Sequence, residues 1–306
     1  MLRYFIKRLL GLIPLMIIIS FIIFMFIHMI PGDPARLMAG KDASLQEINM
    51  TREKLGLNKP LLIQYANYIG RIFHGDWGTS TETGQTVIQM LLPRIFPTFT
   101  LAGLALVWSL ILGVLLGVVS AVNTGKWQDY TGMLIAISGI SMPPFWLGLV
   151  LIQIFSVQLG WLPTGGLDNI SGYILPSFTL GVAIMAIMAR FSRSSMLENM
   201  KEDYVRTARA KGLTEYLVII RHAFRNSLID VATVGGLQIG SLLAGSVVVE
   251  TVFTIPGLGR LLVESIAYRD YAVIQAELLL FSFEFLVINL IVDLLYCVLN
   301  PKIRYS

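Results

Sequence analysis

Six long apolar stretches constrain this chain more than any other feature of its sequence. An α-helix needs about 20 apolar residues to cross the hydrocarbon core of a bilayer, with a lower limit near 17. The sequence therefore predicts an all-α polytopic membrane protein with six transmembrane helices. The predicted spans cover roughly residues 9–30, 98–122, 131–157, 174–190, 228–250 and 274–298.

Composition agrees with a lipid environment and argues against several other classes. Hydrophobic residues make up 55% of the 306 residues and charged residues 14%, whereas a soluble domain carries roughly a quarter charged residues. The net charge of +4 lies beside the apolar runs, so membrane topology explains it and no nucleic-acid partner is expected. Cys297 has no partner for an intrachain disulfide. The three histidines are far apart in sequence, and we expect no metal site, catalytic residue or bound cofactor in this chain.

Lys and Arg residues next to the spans predict the orientation. With an even number of spans, both termini and the segments near residues 126 and 190–227 share one side, which holds fourteen of the 23 Lys and Arg residues. Cations accumulate on the cytoplasmic side of a membrane. Both termini are therefore expected in the cytoplasm.

The first span and the segment after it have distinct signatures. The apolar run within residues 1–30 is too long for a signal-peptide core and lacks a small-residue cleavage site, so it predicts an uncleaved signal-anchor span. Residues 31–96 are too long for a bare loop. Ser44 and Glu47 have the spacing of a capping box, Gly56 suits a helix end, and an amphipathic run follows Pro60. These signals predict a small helical extracytoplasmic cap, leaving 97–306 as a core domain of five spans.

The segment DYVRTARAKGLTEYLVIIRHAFRNS at 203–227 concentrates cations between two apolar runs. It predicts one short helix ending at Gly212 in a left-handed conformation and a second helix, 215–226, capped by Thr214. The apolar face of the second helix is predicted to contain Tyr216, Ile219, Ile220, Ala223 and Ser227. Positive-inside charge, binding to anionic lipid and docking of a soluble partner all remain open from the residues alone.

A resemblance to a known family favours docking. DYVRTARAKG, followed nine residues later by HAFRN, is similar to the cytoplasmic loop of permease subunits in binding-protein-dependent ATP-binding cassette (ABC) importers. That loop has the general form EAA, three residues, Gly, nine residues, then I-x-L-P. Ala208 and Gly212 match this form, whereas Arg206 and Thr207 replace the Glu and Ala, and the final residues differ in the manner of the peptide and nickel branch. The other matching segments are PGDPA (31–35), GDWGTS (75–80), GWLPTGG (160–166), ILPSFTLG (174–181), IPGLGRL (255–261) and NPKIR (300–304).

The resemblance implies a type I ABC importer permease fold, a location in the inner membrane of a bacterial cell and a set of partners. The sequence most resembles the first permease of glutathione or dipeptide importers, through residues 269–282 and the chain end. The implied partners are a second homologous permease, two ATPases that carry ATP and Mg²⁺, an extracytoplasmic solute-binding protein and the lipid bilayer. The implied ATPase-coupling residues, within a loop at 191–227, are Asp203, Tyr204, Arg206, Ala208, Arg209, Lys211, Gly212, His222, Arg225 and Asn226.

Spans five and six hold the candidates for contact with a solute. Small residues at 236, 240 and 244 permit close helix approach in lipid, and the resemblance implies that span five lines a passage between two permeases. The candidates are Gln238, Glu250 at the outer end of span five, and Glu284 near the middle of span six. Intramembrane acids usually face a bundle interior or water, so structural pairing remains an alternative for them.

Rival functions remain open at this point. Within the same family, the solute could be glutathione, another short peptide, a nickel complex or another small solute. A proton- or sodium-driven secondary transporter is the rival of another class, although such folds usually contain internal repeats and none is evident here. Pro143 and Pro144 are predicted to break or kink span three.

Overall fold

Helices form nearly all of the regular structure. The structure is a computed structural model that describes residues 2–29, 35–36, 43–54, 56–167 and 169–299. Within these ranges there is no β-strand, only one bridge between Thr79 and Thr86. The helices in chain order are α1 (Leu2–Met29), α2 (Leu45–Lys54), α3 (Leu61–Phe73), α4 (Val87–Val122), α5 (Trp127–Ser141), α6 (Pro144–Leu151), α7 (Ile174–Asn199), α8 (Asp203–Ala210), α9 (Glu215–Leu217), α10 (Arg225–Val252), α11 (Leu258–Tyr268) and α12 (Tyr271–Leu299).

Two helices continue as wider π-helical turns. Ile152–Gln158 extends α6, and Val218–Phe224 joins α9 to α10. A short 3₁₀ turn, Ile170–Tyr173, precedes α7. The PGDPA motif except Ala35, and the chain from residue 300 with Lys302 and Arg304, lie outside the described residues.

Among the described residues, four helical segments are long and apolar enough to cross a membrane: Arg8–Phe26, Val87–Val122, Ile170–Asn199 and Glu215–Val252. A fifth candidate is α5 paired with Pro144–Gln158, which is α6 with its π-helical extension; the two axes are bent by 105° at residues 142–143. The predicted break at Pro143 and Pro144 is thereby confirmed, because Pro144 opens a new helix where its missing N–H is harmless. The count of six spans stays a prediction, with α12 as the remaining candidate.

Several predicted boundaries move. The second span begins at Val87 rather than residue 98, so its first turns lie inside the segment predicted as the cap. Burial of Val87, Met90 and Leu91 stabilises these early turns, a tertiary effect that local sequence signals do not contain. The fourth span extends to Asn199 rather than residue 190.

The predicted local signals within the cap are confirmed. The Ser44 N–H donates to Glu47 Oε2 at 2.7 Å, and the Glu47 N–H donates to Ser44 Oγ at 3.3 Å. The bond from the Ser44 N–H, together with a 2.9 Å bond from the Ser44 hydroxyl to Glu47 Oε2, holds the pKa of Glu47 below its ordinary value. Gly56 has a φ of 68° after the end of α2, and α3 starts directly after Pro60.

The chain divides into two compact units. The larger contains Pro97–Arg260 and the chain from Val287, and the smaller contains Leu2–Phe96 and Leu261–Leu286. In the larger unit, α7 packs against α5 and α10, and Met188 of α7 and Leu242 of α10 belong to one apolar core.

Glycines of α4 allow its backbone to touch α7. A Cβ atom at Gly113 would lie 2.6 Å from the Met185 carbonyl oxygen, and one at Gly117 would lie 2.5 Å from that of Ala189. Close helix approach in membranes depends on such small residues. Within the described residues, α4 therefore approaches α7 closely through Gly113 and Gly117.

Candidate functional site

Helix α8 is fixed to the membrane-spanning helices by one apolar face. Val205 and Ala208 are 0% and 4% exposed, and they pack in a cluster with Ala121 of α4, Met196 of α7 and Ala223 of the π-helical turn. Three transmembrane segments thus hold a helix of only eight residues. Of the predicted coupling residues, Ala208 belongs to this anchoring face.

The opposite face of α8 is open. Tyr204, Arg206 and Arg209 are exposed, as are Asp203, Lys211 and Gly212. On the π-helical turn and the start of α10, His222 is half-buried, whereas Arg225 and Asn226 are exposed. The predicted coupling residues other than Ala208 and His222 therefore form an exposed, mainly cationic surface, which we call the coupling surface.

Gly212 ends the first helix as predicted. Its φ is 78°, a left-handed conformation that side chains with a Cβ atom disfavour. The Gly212 N–H donates to Arg209 O at 2.9 Å, and the Leu213 N–H donates to Ala208 O at 3.4 Å. These bonds satisfy carbonyl groups at the end of α8.

An ion pair that the sequence reasoning missed spans this turn. Arg209 Nε donates to Glu215 Oε2 at 3.1 Å, and Arg209 Nη2 donates to Glu215 Oε1 at 2.7 Å. Two parallel bonds fix the guanidinium relative to the carboxylate. The sequence signal for this ion pair was the opposite charge of Arg209 and Glu215 on either side of Gly212.

The second predicted helix, 215–226, is not a separate element. Helix α9, the π-helical turn and α10 form one helical segment, Glu215–Val252. Thr214 precedes α9 as predicted, but its side chain makes no capping hydrogen bond. The predicted start is confirmed, and the predicted end is wrong because the helix runs on into span five.

The predicted apolar face of this segment is only partly right. Ala223 and Ser227 are fully buried, but Tyr216 and Ile220 are 72% and 42% exposed, and Val218 is buried in their place. A π-helix bonds residue i to i+5, so Val218 and Ala223, five residues apart, share a face. The regular helical period used for the prediction misses this shift.

A chain of side-chain hydrogen bonds connects α8 to α10. The Tyr204 hydroxyl donates to Asn199 Oδ1 at 2.6 Å, and Asn199 Nδ2 donates to Ser195 O at 2.9 Å. The Ser195 hydroxyl then donates to Asp230 Oδ2 at 2.9 Å. The chain passes from the coupling surface through α7 to span five.

An ion pair braces the neighbouring loop. Arg193 Nε donates to Asp129 Oδ1 at 2.6 Å, and Arg193 Nη2 donates to Asp129 Oδ2 at 2.8 Å. The Gly125 N–H also donates to Asp129 Oδ2 at 3.1 Å. Since the Asp129 side chain is only 7% exposed, this brace rigidly joins the α4–α5 loop to α7. The sequence signal was an acidic residue at the start of an apolar run.

Two of the three passage candidates lie on α10. Gln238 is half-buried, and its Oε1 atom accepts a 3.3 Å bond from the Ser241 hydroxyl. Gln238 and Glu250 are separated by about 18 Å along the helix axis at 1.5 Å per residue, so the structure does not bring them together. Glu284, on α12, is 8% exposed.

Glu250 is enclosed by the turn that follows its own helix. Its side chain is fully buried, Oε1 accepts a 2.7 Å bond from the Thr98 hydroxyl, and Oε2 accepts a 3.0 Å bond from the Arg260 N–H. A Cβ atom at Gly257 would lie 2.4 Å from Glu250 Cδ. In this conformation the carboxylate fastens the 255–260 turn to α10 and α4, and its predicted contact with solute stays a prediction.

Comparison with known families covers almost the whole chain. Residues 113–305 match the family described as the binding-protein-dependent transport system inner membrane component. Residues 1–102 match the amino-terminal family of such membrane components.

Curated relatives align over their full length. The glutathione transport system permease protein GsiC of Pectobacterium atrosepticum (strain SCRI 1043) is 55% identical over 306 residues, which is 100% of both chains. The protein of the same name from Escherichia coli (strain K12) is 54% identical over the same length.

Solved structures show the same fold. A chain of the MetNI methionine ABC transporter in an inward facing conformation aligns with a TM-score of 0.60 and 18% identity, over 70% of this chain and 97% of that one. An amino acid ABC transporter with histidines aligns with a TM-score of 0.56 and 16% identity, over 68% and 93%. The fold is thus that of type I ABC importer permeases, and the chain is a multi-pass membrane protein. It belongs to the family of inner membrane components of binding-protein-dependent transport systems.

Proposed function

We propose that this chain is one of two permease subunits of an ATP-driven ABC importer and that the coupling surface docks on an ATPase. The observation that carries the proposal is the construction of α8. One face is locked among α4, α7 and the π-helical turn, and the other face is exposed and cationic. A docked partner can push on such a helix without deforming it, whereas a flexible loop would absorb the motion.

The connections of α8 suggest how a push reaches the membrane. The hydrogen-bond chain through Asn199 and Ser195 ends at Asp230 of α10. The Arg209–Glu215 pair joins α8 to the segment that continues as α10 without interruption. Closure of the ATPases would therefore move α8 and span five together. This chain acts as the transport subunit, and ATP with Mg²⁺ would bind to the partner ATPases.

Span five offers a surface for a second permease. Gly236 and Gly240 are half-buried and Ala244 is exposed within this chain, so this small-residue stripe remains available for another helix. We assign the passage to this interface, with Gln238 of span five as a candidate for solute contact. Glu284 of span six is a separate candidate. Glu250 is a weaker candidate because of its enclosure.

The proposed class of solute rests on the names of the relatives. Full-length relatives at 55% and 54% identity are named as glutathione permeases, so we propose import of glutathione or short peptides. Family membership implies ATPase and solute-binding partners. We propose two ATPases, one second homologous permease and one extracytoplasmic solute-binding protein. Import of a nickel complex or another small solute is the alternative within the family.

Reconstitution tests the proposed function. Vesicles containing this chain, the second permease, both ATPases and the solute-binding protein should accumulate labelled glutathione only with hydrolysable ATP. Competition by dipeptides or by a nickel chelate would redefine the solute. Accumulation driven by a proton or sodium gradient without the ATPases would instead assign the chain to the secondary transporters.

Labelling tests the proposed orientation with both termini in the cytoplasm. In a Cys297→Ser background, Ser44→Cys should react with an impermeant maleimide from outside intact cells, and Asn226→Cys only after the membrane is opened. Labelling of both from the same side would overturn the orientation and the docking assignment.

A further inference from the structure

Helix α3 leaves a strongly apolar edge uncovered. Leu62 and Phe73 are 71% and 85% exposed. They are about three helical turns apart and so share one edge of the helix. Asn67 and Arg71 lie toward the opposite side, where both are exposed. No residue of α3 is fully buried, so the other described parts of the chain leave this edge open.

A second edge of α3 is packed against α1. The Tyr65 ring meets the Phe21 ring at 5.2 Å and the Phe24 ring at 5.6 Å between centroids, both edge to face. Tyr68 also lies against Phe24, with 6.0 Å between ring centroids. These contacts fix the position of α3 relative to a single transmembrane helix.

The contact lies deep along α1. The apolar span of α1 covers Arg8–Phe26. The Tyr65 hydroxyl lies 3.1 Å from Ile17 O and 2.7 Å from Ser20 Oγ. Ser20 is about 18 Å from Arg8 along the helix at 1.5 Å per residue, more than halfway across a hydrocarbon core of about 30 Å. Helix α3 thus meets α1 at the depth of the apolar layer.

The polar groups at this contact agree with such a depth. A hydroxyl group in hydrocarbon needs a hydrogen-bond partner inside the protein, and Tyr65 finds two on α1. Next to this contact, α1 exposes Ile18, Ile22 and Phe26 by 55–60%. Its span is only 17% buried, so α3 meets α1 beside an apolar surface that the described residues leave uncovered.

We propose that α3 is a membrane anchor whose Leu62–Phe73 edge contacts the acyl chains of the lipid bilayer. The segment predicted as an extracytoplasmic cap is then partly immersed, with the Asn67 and Arg71 side turned toward headgroups or water. Immersion restrains the segment between α1 and α4 at the membrane surface. The proposal does not depend on the identity of the transported solute.

Spin-label accessibility tests the proposal on the full chain. In a Cys297→Ser background reconstituted in lipid vesicles, labels are attached to Leu62→Cys and Phe73→Cys, with Asn67→Cys and Arg71→Cys as matched controls on the same helix. Oxygen concentrates in lipid, whereas a neutral nickel chelate stays in water. Labels at 62 and 73 should collide mainly with oxygen, and labels at 67 and 71 mainly with the chelate.

Two results would overturn it. Chelate access at 62 and 73 equal to that at 67 would place α3 in water, and exclusion of both reagents from 62 and 73 would mean that protein covers the edge. A second measurement avoids dependence on the spin label. Leu62→Trp should add fluorescence that brominated lipid quenches, and Asn67→Trp should add fluorescence that is quenched less.

Discussion

Arg209 and Glu215 clasp the Gly212 turn through two hydrogen bonds of 3.1 Å and 2.7 Å between guanidinium and carboxylate. The pair joins α8 to the helical segment that becomes span five. Both side chains are also partly exposed. Arg209 is therefore open to contact with the ATPase while it pairs with Glu215.

A charge swap separates these two roles of Arg209. Arg209→Glu should weaken coupling of ATP hydrolysis to uptake, with a change in stability of only about 0.5 kcal/mol because the pair is exposed. If the pair alone matters, Arg209→Glu combined with Glu215→Arg restores coupling. We expect only partial recovery, measured as solute transported per ATP hydrolysed, because the swap moves the cation on the coupling surface. Full recovery would show that Arg209 makes no contact with the ATPase.

Substitution of Gly212 tests the turn itself. A non-glycine residue in the left-handed region costs about 1–2 kcal/mol, and Asn tolerates that region better than most residues. Gly212→Asp should insert normally but lose co-purification with the ATPases, because a carboxylate opposes a partner that complements cations. Gly212→Asn has nearly the same shape without the charge and should retain more ATPase. Low membrane levels of both variants would point to a folding defect instead.

The Asp129–Arg193 brace should contribute strongly to stability. Asp129→Asn leaves a guanidinium that is 27% exposed without its charge partner. We expect a loss of about 2–3 kcal/mol, below the full cost of breaking a buried pair because of that exposure. The matched control is Asp203→Asn. Asp203 is 95% exposed, and its partner Arg206 is 76% exposed. Thermal unfolding in detergent should shift for Asp129→Asn, and an equal shift in the control would contradict the brace.

Glu250 and Gly257 should behave as a coupled pair. Gly257→Ala places a Cβ atom against the Glu250 carboxylate and should cost about 1–3 kcal/mol through overpacking. Glu250→Ala leaves the Arg260 N–H and the Thr98 hydroxyl without their acceptor, at about 2 kcal/mol. The double variant should lose less stability than the sum of the two single losses, because the new Cβ atom no longer meets the Glu250 carboxylate. Additive losses in thermal unfolding would show that the turn does not rest on Glu250.

Local signals in the sequence predicted local structure well. Gly212, the Ser44–Glu47 capping box and the break before Pro144 each depend on neighbouring residues and one backbone conformation, and the structure confirms all three. The resemblance to importer permeases supplied the function, which no single chemical group in the chain reveals.

Features that depend on tertiary packing were missed. The early start of α4 at Val87 requires partners distant in sequence, as does the Asp129–Arg193 pair, which joins residues 64 positions apart. The π-helical turn changes the helical period from Val218 to Phe224. Neither hydrophobic spacing nor turn propensity predicts these three features.

Crosslinking from the coupling surface tests the central claim most directly. In the assembled importer with Cys297→Ser, Arg206→Cys carries a short photoreactive group, and Arg71→Cys on α3 carries the same group as the control. Mass spectrometry of the irradiated complex should identify an ATPase peptide joined to position 206 and none joined to position 71. An intact complex in which position 206 joins only lipid or the solute-binding protein would contradict the assignment of α8 as the helix that couples this permease to its ATPase.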